Sequence, residues 1–442
     1  MPNPDPPIVS STLISDVWAG HPVGFDFLVS GGRQYAAFYD GERRMTVATR
    51  AGNDGWSLVR LQGAMRPAHQ PKGGEECTTK LGWDTHNSVV LGVDAAGCLH
   101  LSGNMHNHPL VYFRTRVPHD ISSFERIDRM TGELESACTY PVFLLRPDGN
   151  LVFRYRTGIS GNGADYYNIY DHESRTWRRL LDRPLLDGLG SMSPYSMRPV
   201  PGPDGRFHMV YCWRDTPDVA TNHDLCYMRS RDLVHWENAA GQALDLPSVF
   251  GCPTVVDPIP AGGGLLNARQ RIGFDAALRP VISYTKFDEA GMTQAYCARF
   301  ENGRWKIRQA SNWNYRWELA GWGSIPNGND ILLEPATLEA DGTLRLAFQH
   351  IREGSGAWQI DPETLAVRKI LKPRNSWPPD LARAVSDFPG MHARILPARG
   401  QDGPPKYMLR WETLAENRDE PREKWPPPSE LRCYQLDATP AG

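Results

Sequence analysis

Six short stretches of the chain carry side chains that can move protons or hold an anion. WDTHNS brings His86 and Asn87 directly before the apolar run VVLGV, and SGNMHNHPLVYFR brings Asn104, His106 and His108. CTYPVF offers Tyr140, and FRYRTGISGNG offers Arg154, Tyr155 and Arg156. YCWRDT offers Tyr211, Trp213 and Arg214, and NWNYRW offers Tyr315 and Arg316. Histidine exchanges protons near neutral pH. Arginine presents a planar, permanently charged fork that matches a carboxylate. Any one of these residues alone reads as structural: a histidine beside a strand is usually satisfied locally, and a Trp-Arg pair usually packs with its charged head in water. Their number and type, recurring at successive strand ends, point to a polar site for an anionic ligand. The formal net charge is −3. No global basic field is available to hold nucleic acid, so an anion must be held by local arginines.

The elements that position these residues repeat. An Asp-Gly or similar turn is followed by a short alternating strand at Asp40-Gly41, Asp94 to Gly97, Asp148-Gly149, Asp204-Gly205, Asp275, Asp341-Gly342 and Asp402-Gly403. Asp-Gly supplies the positive φ of a tight hairpin turn, and the alternation is that of a half-buried strand. A tryptophan followed by basic or apolar residues accompanies several copies, in GWSLVRL, RTWRRLL, HWENA and RWKIRQ. A four-stranded repeat of about fifty residues is the signature of a propeller blade. The expectation is therefore an all-β chain, a seven-bladed β-propeller using residues 1–442 as a single domain. Two all-β domains with generic hairpins are the alternative. Abundant Gly (41) and Pro (37) suit many turns and argue against long helices. A radial fold would aim the strand-end residues at one central pocket, with Tyr195, Tyr211 and Trp213 available to pack on the apolar face of a sugar.

Other classes find little support. No apolar run is long enough to span a membrane. Met1 to Pro7 lacks a signal-peptide pattern, so the expectation is a cytoplasmic protein unless a leader has been removed. The eight cysteines are scattered without a C-x-x-C pair and read as reduced, buried thiols. Gly158 to Gly163 lacks the setting and ending of a phosphate loop. Asn222, His223 and Asp224 offer a metal site without diagnostic ligand spacing.

Taken together, WDTHNS, SGNMHNHPLVYFR, TYPVF, FRYRTGISGNG, YCWRDT and NYRWELAGWGS resemble the BNR-4 group of propeller proteins over nearly the whole chain. That group includes ulvan lyases and, most similar to this chain, L-rhamnose-α-1,4-D-glucuronate lyases. The resemblance implies a seven-bladed propeller and a site of two histidines twenty residues apart, then a tyrosine, then an arginine sixteen residues beyond it. His86 and His106 keep the first spacing, and Tyr140 and Arg156 the second. Arg214 and Arg316 correspond to two later arginines. Thr285 stands where the group would carry a histidine, with Lys286 beside it. Some relatives hold a structural zinc or calcium; no full ligand set is matched here, so a structural divalent cation stays open.

The implied chemistry is β-elimination at a uronate, releasing an unsaturated uronate from a rhamnose–glucuronate linkage. The C5 proton beside an ionised carboxylate is very weakly acidic, so the carboxylate must be neutralised as enolate-like charge develops. Arg156, Arg214 and Arg316 are expected to do so, without a cofactor. His106 is expected as base, with Tyr140 or His86 as acid or orienter, and Asn104, Tyr195 and Tyr211 as substrate contacts. The expected partner is an anionic oligo- or polysaccharide, neither nucleic acid nor membrane. Two rival functions are a glycoside hydrolase, which would need a carboxyl pair, and a non-catalytic carbohydrate-binding propeller. Most acids lie in turns (Asp148, Asp204, Asp341), leaving Glu75, Glu76, Glu133 and Glu135 for a hydrolase.

Overall fold

A computed structural model describes residues 8–68, 75–374, 377–400 and 406–437. These residues form an all-β protein. Seven sheets have four to six strands each, and one further two-stranded ribbon pairs Met65–Pro67 with Glu75–Cys77. Among the described residues, helix is confined to the four-residue Pro379–Ala382 and two 3₁₀ turns, Ile121–Ser123 and Val219–Thr221. None is long and apolar enough to cross a membrane.

The chain divides into two compact units. The first comprises Met1–Thr157, Tyr167–Arg179 and Asn375–Gly442; the second comprises Gly158–Tyr166 and Leu180–Arg374. In the first unit, Ile8–Val17 pairs antiparallel with Ser429–Leu436, so the start of the chain completes a sheet made from its last three strands. Two further four-stranded sheets there run Asp26–Ser30 to Ser57–Arg60 and Val89–Val93 to Phe124–Arg126. The second unit contains three sheets, built around Phe207–Arg214, Pro280–Phe287 and Leu344–His350.

Aspartates account for the repeating turn. The Asp94 carboxylate accepts the amides of Ala96 (3.0 Å) and Cys98 (2.8 Å). Asp275 accepts those of Ala277 (3.0 Å) and Arg279 (2.9 Å), and Asp204 accepts the amide of Arg206 (3.1 Å). A short carboxylate side chain folds back on the backbone two to four residues on, which closes the turn in the way that favours Asp there. The turns at Asp94, Asp148, Asp204, Asp275 and Asp341 each link the first two strands of their repeat. The Asp40 turn differs: it joins Arg33–Tyr39 to Met45–Ala51, the second and third strands of its sheet. The equivalent first turn of that sheet is Gly31-Gly32, at φ 56° and 73°. The Asp402-Gly403 copy lies outside the described residues.

The tryptophan-marked stretches form the last strands of four sheets, Ser57–Arg60, Thr176–Arg179, Trp236–Glu237 and Arg304–Gln309. The strands after the turns are more buried than simple alternation implies. All eight residues of Phe207–Arg214 are buried, because both faces of this strand are covered. Polar atoms on such strands must therefore find partners inside. His100 does so through Tyr112 (2.7 Å) and Asp94 (3.2 Å). His208 repeats the arrangement through Tyr227 (2.6 Å) and Asp204 (2.8 Å). All eight cysteines are free thiols, and six are buried.

Asp94 thus serves two backbone amides and a buried histidine at once. Asp94→Ala is expected to cost about 2–4 kcal/mol, since hydrogen bonds to a charged group contribute roughly 1.5–3 kcal/mol each and their loss is not additive. Urea unfolding followed by tryptophan fluorescence measures this. A loss under 0.5 kcal/mol, the range of ordinary surface substitutions, would contradict the structural role given to the turn aspartates.

Candidate functional site

Strand register brings the first group of predicted residues together. His106–His108 pairs with Cys138–Leu145, which pairs with Leu151–Ile159. Thr139 lies opposite His106 on one side and opposite Arg156 on the other. One row across three strands thus carries residues fifty positions apart in the chain. The middle strand is distorted beside that row. Its register shifts between Thr139 and Val142, and Tyr140 sits at φ 56°. A bulge of this kind re-aims a side chain, and a bulky residue at positive φ is held there by its surroundings. The Arg156 guanidinium lies over the Tyr140 ring, 4.9 Å from its centroid. Arg154 and Arg156 are both about 1% exposed.

His86 comes from the loop before Val89–Val93 and stacks on His106, with ring centroids 4.1 Å apart and planes at 23°. Tyr140 is 5.9 Å from the His86 ring, centre to centre. One carboxylate organises the pair. Asp84 Oδ1 lies 2.8 Å from His86 Nδ1 and also accepts the His86 backbone N–H at 2.8 Å. Asp84 Oδ2 lies 2.5 Å from His106 Nδ1. With each Nδ1–H donated to Asp84, the Nε2 position carries the lone pair of a neutral ring. A second carboxylate, Asp419, stands 3.4 Å from His86 Nδ1 and accepts both the N–H (3.0 Å) and the hydroxyl (2.8 Å) of Thr85. The side chains of His86, His106 and Asp84 each keep about a quarter or a fifth of their surface exposed, so a ligand can reach them.

These charges separate the two histidines. Burial works against the His86 cation, but Tyr140 and the carboxylates of Asp84 and Asp419 outweigh it and raise its pKa well above 6.5. Burial lowers that of His106, and the His86 and Arg156 charges lower it further against the pull of Asp84. Asp84 itself is held well below the usual carboxylate range by both imidazoles, despite its burial. The two shifts run in opposite directions, which favours the cation at His86 and the neutral ring at His106.

The other predicted residues divide. Asn104, 1% exposed, donates its side-chain amide to the carbonyls of Thr78 (3.0 Å) and Lys80 (3.2 Å), and its backbone carbonyl accepts from Arg66 (2.8 Å). It braces the loop that leads into His106. In the second unit, Arg214 spends all three guanidinium nitrogens on Asn222 (2.7 Å), the Tyr195 hydroxyl (3.1 Å) and Asn267 (2.6 Å). Tyr211 is fully buried with its hydroxyl on Thr254 (2.7 Å), so it serves the core and offers no surface to a substrate. Arg316 is exposed, lies over Phe287 at 4.0 Å, and with Lys286 lines a cavity of about 320 Å³. Thr285 is buried, and Lys286 pairs with Asp257 at 2.6 Å.

A family model described as "BNR repeat-containing family member" matches residues 33–313. The chain belongs to the BNR repeat-containing family. A curated relative, "Ulvan lyase, short isoform" of Alteromonas sp. (strain LOR), is 44% identical over 55 residues. That stretch covers 11% of this chain and about a tenth of the relative's length. Among solved structures, a PL25 ulvan lyase matches with TM-score 0.60 at 14% identity, over 97% of this chain and 96% of that one. A PL25 ulvan lyase bound to -[GlcA(1-4)Rha3S]- matches with TM-score 0.61 at 15% identity and the same coverage. The polysaccharide lyase Uly1 matches with TM-score 0.62 at 13% identity, over 97% and 99%. At these identities the likeness is one of fold.

Within this BNR repeat protein, Asp84, His86 and His106 also place three possible metal ligand atoms within 4.8 Å of one another, the set among the described residues that could hold an ion. Two imidazole nitrogens suit zinc better than calcium. An ion there would displace the two protons that Asp84 now receives. At the Asn222–Asp224 stretch, which offered no diagnostic ligand spacing, His223 spends both nitrogens on Asp224 (2.7 Å) and Asp215 (3.1 Å), and Asn222 is bonded to Arg214. Sequence reasoning passes over Asp84 and Asp419. Asp84 had a local signal, an acid two residues before a site histidine. Asp419 had none, being separated from His86 by most of the chain.

If Asp84 and Asp419 set the two protonation states, nitrogen NMR of the imidazoles will show His86 titrating above 6.5 and His106 below it. Asp84→Asn removes a charge that favours the His86 cation, so its midpoint should fall. Both rings titrating together near 6.5, unmoved by Asp84→Asn, would contradict this.

Proposed function

We propose that the chain is a polysaccharide lyase that cleaves a rhamnose–glucuronate linkage by β-elimination, on a single seven-bladed propeller domain spanning residues 1–442. The observation that carries the proposal is the Asp84 carboxylate shared by the stacked rings of His86 and His106, with Tyr140 and buried Arg156 alongside. The ulvan lyase names of its relatives, and the uronate–deoxyhexose ligand named with one of them, support the same substrate class. Closure of one sheet by the first and last strands supports the propeller, as do the five turns in equivalent positions.

The steps follow from the charges. Arg156, buried over the Tyr140 ring, supplies a fixed cation that stabilises the enolate-like charge appearing as the C5–H bond breaks. His106 Nε2 accepts that proton. The electron pair closes the C4–C5 double bond, the C4–O bond breaks, and the departing oxygen takes a proton from Tyr140 or from His86. In a glucuronate the C5 proton and the C4 oxygen lie on one ring face, so a stacked acid and base can serve both steps. Arg316 and Lys286, which line a cavity within the second unit, are assigned to binding an anionic sugar there. If Asp84, His86 and His106 hold a divalent ion, it would supply positive charge beside the same carboxylate.

A hydrolase is less well served. The carboxylates of Asp148, Asp204 and Asp341 close turns. Glu135 accepts three loop amides, and Glu76 is paired with Arg66 and His108.

The test is turnover of a rhamnosyl-glucuronate oligosaccharide, read as ultraviolet absorbance of the unsaturated product, with thermal melts to check folding. Wild type should form that product. His106→Ala should lose about 10²–10⁴-fold, the range for general base catalysis, and Arg156→Lys about 10²–10³-fold, since an ammonium cannot reproduce the planar cation stacked on Tyr140. Saturated sugars alone from wild type would overturn the lyase, and near-wild-type turnover in both His106→Ala and Tyr140→Phe would remove those residues from proton transfer.

A further inference from the structure

Beside the histidine pair, the first unit carries an arginine set among three tryptophans. Arg43 projects from the Asp40 turn, where its own φ is 66°. Its guanidinium carbon lies 3.7 Å from the ring centroid of Trp18, 4.4 Å from Trp83 and 5.8 Å from Trp425. The three rings meet edge to face or tilted, at 5.4 to 6.3 Å. Trp18 is buried, Trp83 is half-buried, and Trp425 keeps 48% of its surface exposed.

This arginine differs from its neighbours. Arg44 and Arg60 both pair with the Asp40 carboxylate, at 3.0 and 2.8 Å. Among the described residues, the Arg43 guanidinium takes part in no hydrogen bond or ion pair, although burial already disfavours its charge. The aromatic faces satisfy it electrostatically but leave the in-plane N–H donors without acceptors. A half-desolvated guanidinium with open donors beside an exposed indole face matches a sugar that carries an oxyanion: the ring stacks on tryptophan and the anion meets the fork.

The platform adjoins the proton-transfer centre. Trp83 directly precedes Asp84, and Trp425 follows Asp419 in the same segment. His21, which accepts the Trp18 indole N–H at 2.9 Å and packs on Trp83, lies within the fields of both Asp84 and Asp419.

We propose that Arg43, Trp83 and Trp425 form a second saccharide subsite, which takes another anion-bearing sugar of the same chain, neighbouring the one cleaved at His86 and His106. This rests on the lyase assignment for its substrate class, but its binding signature does not depend on turnover. The anion is a uronate carboxylate or a sulfate ester; both present the same oxygens to the fork. A polymer that fills both places is bound across the site as an internal segment, so the enzyme should prefer long chains to disaccharides.

The experiment compares wild type, Trp425→Ala, Arg43→Gln and Arg43→Lys on ulvan, desulfated ulvan, carboxyl-reduced ulvan and an unsulfated rhamnosyl-glucuronate disaccharide. Calorimetric affinity is measured on all four saccharides, and kcat and KM on those that keep the uronate carboxylate, which elimination requires. Trp425→Ala should weaken polymer binding and raise KM by roughly 3–10-fold, and Arg43→Gln by roughly 10–100-fold. Neither should change kcat on the disaccharide, and Arg43→Lys should recover part of the loss. An Arg43 effect that disappears on desulfated ulvan assigns the sulfate; one that disappears on carboxyl-reduced ulvan assigns the carboxylate. Equal polymer affinity and KM in wild type, Trp425→Ala and Arg43→Gln overturns the subsite. If wild type binds ulvan through Arg43 and Trp425 yet releases no unsaturated uronate, the lyase assignment fails while the subsite stands.

Discussion

The candidate site depends on one shared carboxylate. Asp84 receives the Nδ1 positions of His86 and His106 on its two oxygens, and every other property of the pair follows. The sharing fixes ring orientation and tautomer, brings the rings into a stack, and supplies the charge that allows one imidazole to stay protonated. Two stacked imidazoles of equal basicity would repel if both were charged. A single nearby carboxylate, aided by Asp419 on one side only, makes the asymmetric state the stable one. This is how a site made from ordinary histidines comes to hold an acid and a base at one pH.

The backbone around the site is bent to serve that arrangement. Asn104, Asn107, Tyr140 and Asp419 all adopt positive φ, at 56°, 57°, 56° and 60°. Such conformations cost of order 1–3 kcal/mol each for residues other than glycine and must be held by their surroundings. The supports are visible. Asn104 is tied to two carbonyls, the Asn107 amide donates to Thr139 Oγ1 at 2.8 Å, and Asp419 is tied to Thr85. The regular sheets supply rigidity, and the distortions beside them bring His106, Tyr140 and Asp419 each against His86.

Much of this is legible in the residues alone, where the cause is local. Asp-Gly turns declare themselves because Asp closes on amides two to four positions away, and the tryptophan-marked stretches are outer strands. The His86–His106 and Tyr140–Arg156 spacings each span one antiparallel hairpin, Val89–Val93 with Leu99–Gly103 and Cys138–Leu145 with Leu151–Ile159. What escapes is whatever depends on distant partners. Asp419 reaches His86 only through the fold. Tyr211 sits in a run rich in site-like residues, yet packing takes it into the core. Arg214 is an arginine in a suitable place whose donors are already spent on Asn222, Tyr195 and Asn267. Asp40 carries the repeat's turn signal one strand out of phase, because Gly31-Gly32 closes the first hairpin of its sheet.

The central claim is that His106 works as the neutral base and His86 as the cation of one coupled pair. The pH dependence of kcat/KM on a rhamnosyl-glucuronate substrate tests it most directly. A base with a depressed pKa is available above that value, so activity should fall as pH drops through a limb below 6.5. A cation with a raised pKa is lost only as pH rises through it, so the second limb should lie above 6.5, and Asp84→Asn should shift that alkaline limb to lower pH. A bell of this form whose alkaline limb moves with Asp84→Asn is the predicted result. A profile flat across the histidine range, or one whose limbs are indifferent to Asp84, would contradict the account.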